Sequence, residues 1–197
     1  MKTIRIAEPA DAREVADIYG PIVSGSAISF ETEVPTGPEM EGRIAAALSF
    51  APWLVCIEGE RVVGYAYTSR HRERAAYRWC VDVSVYVRDT CRRAGVGRAL
   101  YTSLFTLLRL QGFYAAHAGI TLPNEASVGL HESLGFRPVG VYSRVGFKCG
   151  RWHDVGWWQL ELRDRSGEPR PTLPMEALRR STGWDEAIAA GLTFLSP

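Results

Sequence analysis

The sequence predicts a single α/β domain in which strands and helices are mixed along the chain without internal repeats. Three observations support this prediction. Short β-rich runs recur as far as about residue 162, amphipathic helical patterns lie between them, and glycines follow the helices. The chain has 197 residues, of which 46% are hydrophobic and 23% are charged, so it can bury one ordinary core.

The first third of the chain is predicted to contain one strand and two helices. Residues 3–7 alternate in polarity as a short strand does. Asp11 stands before a helical pattern, and we expect its carboxylate to cap that helix by accepting a hydrogen bond from the Glu14 amide. Pro38 suits the start of a second helix, whose inner face carries Ile44.

The middle of the chain is predicted to contain three strands and a longer helix. Residues 53–67 comprise two β runs joined by Glu58-Gly59-Glu60, which indicates a hairpin. Residues 78–87 form a longer β run. Leucines at helical spacing from Leu100 to Leu108 predict the helix that follows, and Gly112 is expected to be its C-cap.

The last part of the domain is predicted to contain a strand, a short helix and a final pair of strands. Residues 114–120 form the strand. Asn124 is expected to cap the short helix, which ends at Gly135. Residues 136–145 and 152–162 then form the last β pair.

The composition changes after residue 163. We therefore expect residues 1–163 to form the domain and residues 164–197 to form a C-terminal extension. The extension begins with a proline-rich stretch and continues into a weak helical pattern at residues 184–192. It could dock on the domain or be partly disordered, and the sequence leaves both possibilities open.

Composition and charge exclude several classes of partner. The formal net charge is +1, so no global field attracts nucleic acid or an anionic membrane. No stretch reaches the ~18 unbroken apolar residues of a membrane span, and the N-terminus lacks a secretion signal, which predicts a cytoplasmic protein. The four cysteines are scattered without a Cys-x-x-Cys pair, so we expect neither a disulfide framework nor a metal.

One loop carries the strongest functional signal. A β run ends near Val87, the next residues include Arg92 and Arg93, and Gly95 and Gly97 lead into a helix. The first amides of a helix have no partner inside it and lie at the positive end of its dipole, so they attract a phosphate. The loop lacks the lysine of a P-loop and the third glycine of a dinucleotide-binding motif.

The motif that remains is Arg/Gln-x-x-Gly-x-Gly/Ala, which runs here from Arg92 to Gly97. It resembles the diphosphate loop of acetyl-CoA-dependent N-acetyltransferases. Downstream, the stretch from Asn124 to Phe136 resembles the Asn-x-x-Ala/Ser…Tyr-x-x-x-Gly-Phe helix of the same superfamily, with His131 in place of the usual tyrosine. By these two motifs the chain is identified as a member of the GNAT superfamily.

Other segments narrow the resemblance to phosphinothricin N-acetyltransferases and the related methionine sulfone and sulfoximine acetyltransferases. The runs Leu130-His131-Glu132 and Trp152-His153-Asp154-Val155-Gly156 are specific to this branch, and the similarity covers residues 4–162. It implies a mixed, mostly antiparallel sheet that is splayed at the acetyl-CoA site and flanked by helices. It also implies direct acetyl transfer to a small amino-acid-like amine, and a homodimer.

The resemblance also implies which residues bind acetyl-CoA. The backbone of residues 85–87 would pair with the pantetheine arm and support the thioester oxygen. The glycine loop would hold the diphosphate, and Asn124 would bind the pantetheine amide. The implied cofactor-binding residues are Val85, Tyr86, Val87, Arg93, Ala94, Gly95, Val96, Gly97, Arg98 and Asn124.

Two residues are the candidates for catalysis. Asp82 occupies the position of the family's glutamate general base, but it is one methylene shorter, so its carboxylate would lie about 1.5 Å further back and a water could bridge the gap. His131 would protonate or hydrogen-bond the departing thiolate, or help the base. The structural alternative for Asp82 is a carboxylate that is paired with an arginine. The alternative for His131 is a histidine that only packs on the inner face of its helix.

Four residues correspond to the lining of the family's acceptor pocket. They are Phe30, Arg72, Arg74 and Tyr77. The guanidinium fork of arginine suits a carboxylate or phosphinate, although these arginines could equally belong to a solvated loop. Two other functions stay open at this point, namely a non-catalytic acyl-CoA-binding module and an N-acetyltransferase of a different amine or a peptide.

Overall fold

In the computed structural model, which describes residues 1–195, a seven-stranded sheet carries helices on both of its faces. The mixed α/β class predicted from the sequence is confirmed. The strands are β1 (Lys2–Ile6), β2 (Trp53–Glu58), β3 (Arg61–Arg70), β4 (Cys80–Val87), β5 (Ala115–Leu122), β6 (Arg137–Lys148) and β7 (Arg151–Glu161). The helices are α1 (Ala12–Gly25), α2 (Gly37–Leu48), α3 (Val96–Gln111), α4 (Glu125–Ser133), α5 (Met175–Arg179) and α6 (Trp184–Ala189).

The sheet is mixed but mostly antiparallel, as the resemblance implied. Its order is β1-β2-β3-β4-β5-β7-β6, and β4 and β5 form its parallel pair. The pairing of β4 with β5 covers three residues of each strand and ends at Asp82 and His117. Beyond these residues the two strands diverge, and a cleft opens between them.

Alternating side chains divide β4 between two apolar cores. Val81 and Val83 are buried in the larger core, which α3 covers. Tyr86 packs on the opposite face against Tyr19 of α1, with 5.1 Å between the ring centroids. Asp82 follows the same alternation and therefore lies on the face that α1 and α2 cover.

Helix α3 has the apolar stripe and the C-cap that the sequence predicted. The leucines from Leu100 to Leu108 are buried, and Gly112 ends the helix in the left-handed conformation with φ 102°. At the other end, Gly95 is the N-cap with φ 78°. Glycine adopts this conformation without the steric cost of a Cβ, so the chain can turn sharply into the helix.

The expected role of Asp11 as the side-chain cap of α1 is wrong. Asp11 is the last residue of a 3₁₀ turn and has helical backbone angles, φ −77° and ψ −12°, so its side chain points back towards that turn. It accepts a hydrogen bond from the Glu8 amide at 2.8 Å and forms an ion pair with Arg5 at 2.7 Å. A preceding turn therefore supplies better partners for this carboxylate than the helix does.

The C-terminal segment packs along α3 over its described part. Ser103 of α3 donates to the Ile188 carbonyl at 2.6 Å and accepts from the Gly191 amide at 3.0 Å. A 3₁₀ turn at Leu192–Phe194 then brings the Phe194 carbonyl against Gly95. Residues 196 and 197 of the predicted extension lie outside the described residues. None of the helices within residues 1–195 has the length and apolarity needed to cross a membrane.

We predict that Gly191→Ala destabilises the protein by about 1–3 kcal/mol, the usual cost of overpacking. A Cβ at this position would lie 1.9 Å from the Ala99 carbonyl oxygen, so the C-terminal segment would have to move away from α3. Guanidinium unfolding followed by circular dichroism measures the effect.

Gly42→Ala is the matched control. A Cβ at Gly42 meets nothing within 4 Å, and alanine favours the α2 helix, so stability should stay equal or rise by up to about 1 kcal/mol. A Gly191→Ala variant as stable as the wild type would contradict the packing of this segment on α3.

Candidate active site

The cleft between β4 and β5 is lined by open backbone on one side. The Arg88 amide donates to Val63 of β3 at 2.9 Å. Because amides alternate along a strand, those of Val85 and Val87 point away from β3 and towards the cleft, whereas that of Val83 belongs to the last paired position with β5. The cleft holds about 60 Å³, and its other walls come from β5, α3 and α4, through Ala118–Thr121, Tyr101, Asn124, Ser127 and His131.

The glycine loop lies at the N-terminus of α3. Arg93 and Gly95 both have left-handed backbone angles, with φ 61° and 78°. The first hydrogen bond within the helix runs from the Ala99 amide to the Gly95 carbonyl at 2.9 Å. The amides of the three residues between them therefore have no partner inside the helix, and they form the kind of N-terminus that binds an anion.

Gly97 allows α3 to approach its neighbours closely. A Cβ at this position would lie 3.3 Å from Leu130 of α4 and 3.7 Å from Val87 of β4. The Arg98 side chain extends sideways, where its guanidinium donates to the Ser133 hydroxyl at 2.9 Å and lies over the Phe194 ring. Its backbone amide, rather than its side chain, belongs to the anion-binding turn.

His131 is buried in the wall of the cleft with both ring nitrogens engaged. Nδ1 lies 2.7 Å from the Ser127 carbonyl, which can only accept, so Nδ1 carries the proton. Nε2 of the neutral ring then accepts from the Tyr101 hydroxyl at 3.1 Å. Burial lowers the pKa of His131 and raises that of Tyr101 well above its ordinary value. The pair therefore favours a neutral imidazole and a protonated phenol.

Asp82 lies where β4 and β5 separate, and it is bonded to a histidine that the sequence analysis did not single out. His71, which follows β3, places Nδ1 2.6 Å from Asp82 Oδ1. Burial raises the pKa of Asp82, while the hydrogen bond from His71 and the charge of Arg72 oppose that shift. The carboxylate is thus held by a basic partner instead of lying free on the polar face of a strand.

A second histidine completes this group, which we call the Asp82 cluster (Asp82, His71 and His117). The rings of His71 and His117 are stacked with centroids 4.3 Å apart and planes 18° apart. His117 Nε2 lies 3.2 Å from the Gln159 side-chain oxygen. The pKa of His117 is lowered, first by burial and then by the positive charge of His71. The strand register that pairs Asp82 with His117 is the signal from which the sequence analysis could have found this cluster.

The donor atoms of the Asp82 cluster lie within 4.8 Å of one another, close enough to raise the question of a metal ion. Zinc requires ligands that converge on one point at 2.0–2.2 Å. Nitrogen lone pairs lie in the ring planes, so two stacked imidazoles direct theirs side by side rather than towards a common centre. The arrangement suits proton exchange better than metal ligation.

Two of the four predicted acceptor-pocket residues lie beside the Asp82 cluster. Tyr77 presents its ring edge-on to His71, with centroids 5.8 Å apart. Arg72 donates to the His71 carbonyl at 2.7 Å and lies over the ring of Trp157. Arg72 and Tyr77 therefore reach the cluster from the loop between β3 and β4.

The other two predicted residues are further from the cluster. Phe30 occupies the loop between α1 and α2, and its ring fills the space that the missing side chain of Gly146 leaves in β6. Arg74 precedes a 3₁₀ turn, and its side chain forms no hydrogen bond or ion pair within residues 1–195. The structure thus brings Phe30 to the β6 wall and leaves Arg74 as an exposed charge.

A larger cavity of about 320 Å³ lies between α2 and β3. Its lining is mostly apolar and includes Trp53, Tyr65 and Tyr67. It adjoins the Asp82 cluster through Ser69, which pairs with Asp82 across the sheet. None of the predicted acceptor-pocket residues lines this cavity.

Several known proteins are similar to this chain. A family model described as an acetyltransferase (GNAT) domain matches residues 4–157. The phosphinothricin N-acetyltransferase of Streptomyces viridochromogenes is 40% identical over 173 residues, which cover 87% of this chain and 93% of the relative. The L-methionine sulfoximine/L-methionine sulfone acetyltransferase of Salmonella typhimurium is 35% identical over 165 residues, which cover 83% and 96%.

A solved structure shows the same fold. The GNAT superfamily phosphinothricin acetyltransferase from Sinorhizobium meliloti in complex with AcCoA superimposes with a TM-score of 0.82. Its sequence is 33% identical, and the match covers 86% of this chain and 93% of that chain.

We predict that the protein loses stability as the pH falls below about 6.5, the ordinary pKa of an unfolded histidine, and that His131 contributes to this loss. Because the pKa of His131 is lowered in the folded state, the unfolded chain binds a proton first and acid favours unfolding. One such proton changes the free energy of unfolding by at most about 1.4 kcal/mol per pH unit. Urea unfolding at pH 7.5 and pH 5.5 measures the difference.

His131→Gln is the comparison variant, since glutamine can still accept a hydrogen bond from Tyr101 but does not titrate. We expect a smaller difference in stability between the two pH values than in the wild type. An equal difference in both proteins would show that His131 has an unshifted pKa.

Proposed function

Because the chain belongs to the GNAT acetyltransferase family and uses acetyl-CoA as its co-substrate, we propose that it acetylates the amino group of a small amino-acid-like acceptor. Phosphinothricin, methionine sulfone and methionine sulfoximine are the model acceptors, as the names of its relatives suggest. The observation that carries this proposal is the Asp82 cluster, a basic group located where the β4–β5 cleft begins.

In this proposal acetyl-CoA lies across the open edge of β4. The amides and carbonyls of residues 85–87 pair with the pantetheine arm as an added strand would, and an amide there supports the thioester oxygen. The diphosphate lies on the loop from Arg93 to Arg98, whose free amides favour an anion. Asn124, which lines the cleft as the N-cap of α4, is the partner for a pantetheine amide.

The reaction begins with the acceptor's ammonium group, which must lose a proton before its lone pair can attack the thioester carbon. Asp82 belongs to the base that takes this proton. The C–N bond then forms, the C–S bond breaks, and the sulphur leaves with the electron pair and takes up the second proton that the new amide nitrogen gives up. His131 assists this departure through Tyr101, a residue of the cleft wall, whose hydroxyl turns from His131 Nε2 to donate to the sulphur. A raised pKa keeps the Tyr101 hydroxyl protonated and able to donate a hydrogen bond.

The acceptor's second polar group is assigned to the loop between β3 and β4. Arg72 and Arg74 supply positive charge, and Tyr77 and Phe30 supply aromatic walls. On the side of the proposed acceptor pocket opposite this loop, Lys148 Nζ donates to three carbonyls at the end of α1 and in the α1–α2 loop, at 2.6–2.7 Å. This anchored loop favours a small acceptor over a peptide, which would need an open groove.

The wider organisation of the protein follows from the same resemblance. Residues 1–163 form the catalytic domain, and residues 164–197 form an extension, of which the part described up to residue 195 packs on α3. A cytoplasmic location is supported by the four cysteines, all of which are free thiols.

We also propose a homodimer in which the exposed surface of the β6–β7 hairpin is covered. Six large apolar side chains of this hairpin are between 49% and 63% exposed, which is unusual for a sheet edge without a partner. They are Val139, Val141, Tyr142, Val145, Phe147 and Trp152. Trp158, by contrast, is buried in the core.

The proposed activity predicts release of free CoA when the protein meets acetyl-CoA and L-phosphinothricin, methionine sulfone or methionine sulfoximine. Thiol release measured over a panel of these compounds, other small amines and N-terminal peptides tests activity and acceptor class together. Turnover of peptides alone would support the peptide acetyltransferase. Tight binding of acetyl-CoA without turnover of any amine would support the non-catalytic binding module.

The proposed dimer predicts that Val141→Glu yields monomers, because a carboxylate would be buried unpaired at the interface. Val34→Glu is the matched control, since Val34 is also exposed (47%) but lies in the loop before α2. Light scattering should give about twice the chain mass for the wild type and the control. A monomeric wild type would contradict the dimer.

A further inference from the structure

A shortened carboxylate stands at the start of the cleft. Asp82 is one methylene shorter than the glutamate that the family resemblance leads one to expect, so it reaches less far into the cleft. The structure shows that the space in front of it contains an imidazole. His71 Nδ1 and Asp82 Oδ1 are 2.6 Å apart, a distance typical of a strong, charge-assisted hydrogen bond.

This contact determines which nitrogen of His71 is available. A carboxylate can only accept, so Nδ1 carries a proton and Nε2 keeps the lone pair of the neutral ring. No hydrogen bond to Nε2 is formed within residues 1–195. His71 is held on its other sides by the stacked ring of His117 and by the ring edges of Tyr77 and Trp157, at 4.3, 5.8 and 6.1 Å between centroids. The free nitrogen is therefore attached to a well-positioned ring.

The charged and titratable groups around His71 come from each neighbouring element. Asp82 of β4 pairs with His71, Arg72 of the same loop acts on Asp82, and Arg165 after β7 acts on His117. His117 of β5 and Tyr77 of the 3₁₀ turn are the other titratable neighbours. His117 resists protonation because it is buried and lies beside His71. Of the two stacked rings, His71 is the one bonded to a carboxylate, whereas His117 contacts the Gln159 side chain.

We infer that His71 is the catalytic base of the proposed acetyl transfer and that Asp82 is its positioning residue. This inference rests on the proposed function. His71 Nε2 removes a proton from the acceptor's ammonium, which leaves a neutral amine and an imidazolium paired with the Asp82 carboxylate. The amine lone pair then attacks the thioester carbon, and the C–N bond forms as the C–S bond breaks. The nitrogen's surplus proton passes to the departing thiolate, and the imidazolium later releases its proton to solvent. The imidazole thus extends the reach of the shortened carboxylate and takes the place of the bridging water that the sequence analysis considered.

The test is His71→Ala, assayed with the best acceptor of the amine panel. We expect kcat/KM near pH 7 to fall about 10²- to 10⁴-fold, the usual contribution of a general base. The remaining rate should rise with pH towards about 8, where an α-amino group loses its proton unaided. Added imidazole should restore activity in proportion to its concentration. Acetyl-CoA affinity, measured by calorimetry, should stay within about twofold, since no contact to the coenzyme is removed.

Two further variants complete the design. Glu73→Gln changes an exposed residue of the same loop and should keep the wild-type rate and pH profile. Asp82→Asn should lower the rate, and the double variant with His71→Ala should lose little more than the worse single variant, because the two residues act as a unit.

The outcomes separate the inference from the proposed function. An active wild type whose His71→Ala variant keeps its pH profile and does not respond to imidazole overturns the role of His71 alone. Activity lost on dialysis against a chelator and restored by zinc overturns it in favour of a metal site. A wild type that releases no CoA with any amine overturns the proposed function, and the inference with it.

Discussion

The site depends on the early end of the parallel pairing between β4 and β5. A parallel ladder that continued past Asp82 and His117 would satisfy the backbone of β4 and close the cleft. Because it stops there, the amides and carbonyls of Val85 and Val87 are left facing an opening lined by α4. Buried backbone groups require partners, so this edge is prepared for an extended, amide-containing ligand. The pantetheine arm of acetyl-CoA is such a ligand.

The same opening brings two kinds of chemistry together. On the α3 side it meets a helix N-terminus that is turned by left-handed residues at Arg93 and Gly95 and suits a diphosphate. On the other face of the sheet, the last paired positions of β4 and β5 carry Asp82 and His117, and His71 joins them from the end of β3. A coenzyme held along β4 therefore ends beside a basic group. The C-terminal segment, packed on α3 as far as Gly95, supports the loop from behind.

Local patterns account for the parts of the structure that the sequence could predict. The apolar stripe of α3, its cap at Gly112 and the capping of α4 by Asn124 depend on residues close together in the chain. The family motifs also allowed the splayed sheet and the co-substrate to be predicted. The cap expected at Asp11 was wrong because its competitors, Arg5 and the Glu8 amide, precede the helix and form a stronger site.

The Asp82 cluster could not be predicted in the same way. Its members come from one loop and two strands. His71 and Asp82 are 11 residues apart in the chain, and Asp82 and His117 are much further apart. Only the strand register brings His117 level with Asp82. The packing of the C-terminal segment is non-local for the same reason, since Ser103 contacts the carbonyl of Ile188, 85 residues away. Knowledge of which segments pair with each other, rather than composition, would be needed to predict the Asp82 cluster or the packing of the C-terminal segment.

Amide hydrogen exchange with and without acetyl-CoA tests the central claim most directly, because it reports on the unpaired edge of β4 itself. The account predicts that acetyl-CoA slows exchange at Val85 and Val87 and at the first amides of α3, and that the amides of β4 facing β3 change little. Protection confined to other strands, or none along β4 while acetyl-CoA is bound, would contradict it.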